Sequence, residues 1–162
     1  MGCVPEWPGV IVAEGSFLGG FSLYVEGGRL KHTYSFLGLK LDTITSRDEL
    51  PKGKINVRYE FTADKPGEFA TSGTSRLFIN GKQEAEGKIE HTVPLRFTAY
   101  AGMDIGTDNG LPVVPKLGYA KLLPKYFSGT IEKVEFDLGP ARISAEDLQW
   151  IYLERFATAV RN

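Results

Sequence analysis

The stretch GFSLYVEGGRLKHTYSF, residues Gly20 to Phe36, decides the fold. Two alternating runs meet at Glu26-Gly27-Gly28-Arg29, where paired glycines favour the tight turn of a β-hairpin. Phe21, Leu23 and Val25 fall on one face of the first run, and Leu30, His32, Tyr34 and Phe36 on one face of the return, because strand side chains alternate. Similar runs follow at Ile55 to Phe61 and at Leu77 to Ile79, the latter closed by Asn80-Gly81, the strongest short signal for a two-residue hairpin loop. The spacing predicts strands at 10–13, 21–26, 29–36, 40–45, 54–62, 74–79, 82–86, 95–100 and 129–138, separated by Gly, Pro or Asp clusters. That many short strands imply an all-β, two-sheet antiparallel β-sandwich, spanning 9–138.

At 162 residues one domain, 1–162, is the expectation, long enough to bury roughly two-thirds of the unfolded chain's surface without a metal or disulfide. The 19 basic and 20 acidic residues are spread along the chain, so it offers no electrostatic footprint for nucleic acid or an anionic membrane. Cys3 is the single cysteine and cannot form an internal disulfide. No apolar run approaches the roughly 20 residues of a membrane span. Met1-Gly2 leads straight into CVPEWPGV without a secretory leader, which points to a cytoplasmic protein or a piece of a longer one.

After Asp137 the pattern changes. Gly139-Pro140 breaks the strand, and Ser144 with Asp147 three residues on resembles a capping box, so a C-terminal α-helix is expected over 144–160. Leu148, Ile151, Tyr152, Phe156, Ala159 and Val160 form one stripe at helical spacing. Trp150, Leu153 and Ala157 widen it beyond one face, so the helix lies on the sandwich or offers these residues to a partner domain or a second copy.

The chemistry is nearly silent. Cys3-Val4-Pro5-Glu6-Trp7 has the Cys-x-Pro spacing of the sulfatase motif Cys-x-Pro-x-Arg, but Trp7 replaces the arginine, and no catalytic role for Cys3 follows. β-Sandwich glucanases place two carboxylates on one strand face about 5 Å apart. The nearest counterpart is Glu135 and Asp137, on the solvated face of a strand whose Val134, Phe136 and Leu138 alternate inward. His32 and His91 are too far apart in sequence to read as a zinc site and are structural by default.

The segment Ala101 to Ser128 has neither period and is longer than most connections. Within it, Asp104-Ile105-Gly106-Thr107-Asp108-Asn109-Gly110 sets oxygen-bearing side chains at Asp104, Asp108 and Asn109, which could present hard ligands to Ca²⁺. The same residues also cap turns by bonding their own backbone. Tyr100, Tyr119, Tyr126 and Phe127 flank or occupy this loop and offer stacking faces for a glycan, or seal the end of the sandwich.

Taken in order, several of these pieces resemble the C-terminal domain that follows the catalytic domain in a group of bacterial arylsulfatases. The resemblance rests on Gly20-Phe21-Ser22-Leu23-Tyr24-Val25 with Gly28-Arg29-Leu30, on Tyr34-Ser35-Phe36-Leu37-Gly38, and on Val57-Arg58-Tyr59-Glu60-Phe61. It continues through Leu77-Phe78-Ile79-Asn80-Gly81-Lys82, Thr92-Val93-Pro94, the run from Asp104 to Val113, and Phe127-Ser128-Gly129-Thr130-Ile131. It implies a concanavalin-like or laminin-G-like jelly roll without the catalytic domain, and no catalytic residue carries over. Ser35 departs from the family's Asn, and the C-terminal helix extends past the domain's expected end. The function expected is that of a non-catalytic accessory domain, packing on a sulfatase catalytic domain or mediating oligomerisation. The alternatives are a glycan-binding module and, third, a glycoside-active enzyme.

Overall fold

The structure, a computed structural model, describes residues 8–66, 68, 70–94, 97, 101–115, 126–139, 149 and 153. The chain divides into two units, Met1–Glu132 and Lys133–Asn162. The first contains β1 (Gly9–Ser16), β2 (Gly19–Glu26), β3 (Arg29–Phe36), β4 (Lys40–Thr45), β5 (Val57–Ala63), β6 (Gly73–Ile79), β7 (Lys82–Ile89) and β8 (Met103–Ile105). They form a five-stranded sheet in the order β4-β3-β2-β1-β8 and a three-stranded sheet in the order β5-β6-β7. Every strand pair is antiparallel, and the two sheets make a β-sandwich.

The turns explain the register. Gly27 and Gly28 take φ of 58° and 71°, and Asn80 and Gly81 take 49° and 81°. Two successive left-handed residues twist the chain as the flanking strands require. Each turn therefore closes its hairpin directly, Glu26 against Arg29 and Ile79 against Lys82. With that register set, Leu23 and Val25 of β2 and Leu30 of β3 meet Leu77 and Ile79 of β6 in one buried cluster with Ile11, Val12 and Leu50. Gly87 of β7 marks a close approach of the two sheets, since a Cβ there would stand 2.3 Å from the Ile44 side chain of β4.

His32 sits inside this core, 1% exposed. Its ring stacks 3.7 Å from Tyr59 of β5 and 5.9 Å from Phe21 of β2, and its Nε2 has no hydrogen-bond partner among the described residues. Burial pushes its pKa down from 6.5 to about 3, so the imidazole is neutral. The large sheet is also buried on its other face, where Val10, Ala13 and Tyr24 pack with Val113 and Val114. There the Tyr24 hydroxyl bonds Thr33 Oγ1 at 3.1 Å, and Thr33 bonds Thr43 Oγ1 at 2.7 Å.

Several expectations change. The strand predicted at 129–138 does not form: residues 129–139 carry no strand. Phe136 and Leu138, expected to face inward, are 46% and 83% exposed. The reason is that alternation makes a segment capable of pairing, while a strand exists only where a ladder accepts it. The backbone just before it is bonded elsewhere, Phe127 N–H to the Gly106 carbonyl and Ser128 N–H to that of Pro8. Conversely, β8 forms inside the segment expected to be irregular, pairing Val12 with Ile105 and Glu14 with Met103. The strand expected at 95–100 lies outside the described residues except for Phe97, which packs edge-on against Phe21. Of the predicted C-terminal helix, Gln149 and Leu153 are described and are helical; Trp150, Ala157 and the remainder lie outside the described residues.

Candidate functional site

The loop after β8 is the best candidate, and its geometry follows from where its backbone is tied. Gly106, at φ 76°, donates its N–H to the Ile11 carbonyl at 2.8 Å and accepts from Phe127 N–H at 2.9 Å. The chain then turns through Thr107, Asp108, Asn109 and Gly110 before Val113 and Val114 enter the second buried cluster.

The carboxylates of this loop are engaged. Asp104 Oδ2 accepts the Asn109 backbone N–H at 2.8 Å, and its Oδ1 accepts the Asn109 side-chain amide at 3.1 Å. Asp108 is buried, and its Oδ2 accepts the Val113 N–H at 3.0 Å. These are the bonds by which Asx side chains fix turns. They bring Asp104 and Asn109 together, while Asp108 is directed to the segment that plugs the outer face of the sheet. Thr107 Oγ1 is buried in the same loop without a hydrogen-bond partner among the described residues. Among the described residues no group of three His, Cys, Asp or Glu side chains is placed to hold a metal ion.

Of the aromatics proposed as glycan platforms, Tyr126 is 65% exposed and its backbone bridges to Val10, while Tyr100 and Tyr119 lie outside the described residues. Glu135 and Asp137 are both exposed, and Glu135 pairs with Lys133 at 2.7 Å. His91 lies 5.5 Å from the Phe36 ring, and His32 is in the core described above. Leu153, from the expected partner surface, is 60% exposed. Cys3 and Trp7 lie outside the described residues.

Sequence reasoning missed a second cluster at the other side of the sandwich. A bulge in the β6–β7 ladder pairs Phe78 with Gln83 and Leu77 with Ala85, leaving Glu84 between them and turned inward. Glu84 Oε2 accepts the Asp48 N–H at 3.1 Å, its Oε1 meets Lys82 Nζ at 2.8 Å, and its carbonyl accepts the Arg47 N–H at 3.1 Å. Lys82 also reaches Asp48 at 3.0 Å. Lys82 holds both carboxyls below the usual carboxylate range, and those acids raise the lysine in turn, Glu84 first. The cluster anchors the 46–50 loop, whose Leu50 N–H bonds the Gly28 carbonyl at 2.7 Å. Nothing in the alternation of Lys82-Gln83-Glu84-Ala85-Glu86 announces the bulge.

Comparison with known proteins gives no match: no family model fits the sequence, and neither a curated protein nor a solved structure matches it.

Proposed function

We propose that this chain is a non-catalytic accessory β-sandwich, working by contact with another protein surface as the C-terminal domain of bacterial arylsulfatases does. The observation that supports this most is the apolar surface of the unit Lys133–Asn162, where Phe136, Leu138 and Leu153 are all exposed. Exposed apolar side chains grouped into a patch mark surfaces that a partner covers. The reading includes a concanavalin-like jelly roll and a C-terminal helix presenting Trp150, Leu153 and Ala157 to a sulfatase catalytic domain or a second copy. The test is coexpression with an arylsulfatase catalytic domain stripped of its own C-terminal domain. Copurification that is lost on replacing Phe136, Leu138 and Leu153 with Ser supports the reading. Two species that elute separately, with no change in the melting temperature of either, overturn it.

A second reading is favoured by Tyr126 alone, since an exposed aromatic ring offers a face on which a pyranose can stack. Binding on a glycan array that disappears in Tyr126→Ala would carry that reading.

A further inference from the structure

β5 is the outer strand of the three-stranded sheet: β6 pairs with one of its edges, and no described strand pairs with the other. Its ladder to β6 runs regularly from Val57 opposite Ile79 to Ala63 opposite Gly73. The phase of that ladder is fixed at both ends, where Asn80 N–H bonds the Asn56 carbonyl at 2.8 Å and Asp64 N–H bonds that of Ser72 at 2.9 Å. Even-numbered residues therefore direct their backbone groups to β6, and Val57, Tyr59, Phe61 and Ala63 direct theirs outward. A straight edge without bulge or proline is an open template for another strand.

The strand's own sequence says what fits. Val57-Arg58-Tyr59-Glu60-Phe61 is symmetric about Tyr59, with opposite charges on either side and apolar residues beyond them. We propose that β5 pairs antiparallel with β5 of a second copy of this chain, about a two-fold axis at Tyr59. In this register Arg58 stands opposite Glu60 of the second copy, twice, and Val57 stands opposite Phe61, also twice. The outward backbone groups of Val57, Tyr59 and Phe61 then meet as hydrogen-bonded pairs. The neighbouring registers of the same phase set Arg58 against Arg58 or Glu60 against Glu60, which like charges disfavour. In the single chain Arg58 lies 2.7 Å from its own Glu60 and 4.1 Å above the Phe78 ring, on the strand face from which it would meet the second copy.

The outer strand β4 of the large sheet fits less well. Setting Lys40 against Asp42 of a second copy shortens the pairing, because the turn closed by Leu39 N–H to the Phe36 carbonyl comes directly before Lys40. The β5 contact is isologous and joins two three-stranded sheets into one. A single strand is much smaller than the roughly 20–30 residues a side of a standard interface, so the dimer dissociates on dilution.

Sedimentation velocity on the full chain tests this. From micromolar to millimolar, the weight-average mass of the unmodified protein should rise from one chain toward two. Arg58→Glu and Glu60→Arg each place like charges across the axis and should stay monomeric. An equimolar mixture of the two should associate again, because the exchanged charges now pair between variants; an unfolded variant cannot produce that recovery. A monomeric unmodified chain throughout, variants that dimerise as it does, or a mixture that stays monomeric overturns the proposal.

Discussion

Acidification should weaken this protein at one identifiable side chain, His32. The folded-state pKa of about 3 lies below the ordinary 6.5, so between those values the unfolded chain binds a proton that the folded chain refuses. Stability is then fully present above pH 6.5 and falls as pH drops toward 3, by about 1.36 kcal/mol for each pH unit. At pH ~4.5 the loss is ~3 kcal/mol, a sizeable part of the ~5–15 kcal/mol that stabilises a typical domain. A cation–π contact with a desolvated ring such as Tyr59 would return about 2 kcal/mol. The whole displacement from 6.5 to about 3 is worth ~5 kcal/mol, so burial wins and the sign stands. Urea titrations across this range should show the midpoint falling with pH while the slope stays constant. His32→Phe keeps a ring against Tyr59, removes the unpartnered Nε2, and should flatten the curve between pH ~6.5 and ~5, where carboxylates are ionised in both states. Parallel pH curves for the two proteins would refute the assignment of the slope to His32.

Asp108→Ala leaves the Val113 N–H without its acceptor and should destabilise by ~1–3 kcal/mol in thermal or urea unfolding, whether or not calcium is present. Calcium added to chelator-treated protein should leave the melting temperature unchanged; a rise that Asp108→Ala abolishes would instead make the loop a cation site. Gly87→Ala drives a methyl into Ile44 and should cost ~1–3 kcal/mol, with Ile44→Ala restoring part of the loss in a double-mutant cycle. Glu84→Gln should lower the melting temperature at neutral pH. It should also remove stability that the native chain loses as pH falls through the ordinary carboxylate range and below, because the Glu84 pKa is depressed in the fold.

How much was legible depended on whether a few residues dictated the backbone. Gly27-Gly28 and Asn80-Gly81 did so, since two consecutive left-handed conformations admit few other pairs, and the hairpins they close came out in register. β8 is three residues long and takes its identity from the edge of β1, a partner remote in sequence, so no local pattern announces it. The 129–138 segment is the converse, a good pattern without a ladder. Burial on both faces of β1 and β2 blurred the alternation, because Val113 and Val114 come from a loop with no period of its own. In the candidate loop, Asp104 and Asn109 were legible as turn chemistry, whereas the reach of Asp108 to Val113 depends on where that loop returns.

The pairing of Val12 with Ile105 sets an order of events in folding. β1 through β4 form a meander of neighbouring strands, so their contacts close short loops and form early. β8 can dock only after most of the intervening chain has been drawn in, a closure whose entropy grows with the logarithm of the loop length. The edge of β1 is thus the last part of the large sheet to be covered. Until then Val12, Ala13 and Glu14 present an open ladder, the state in which a slowly folding chain meets its neighbours most easily.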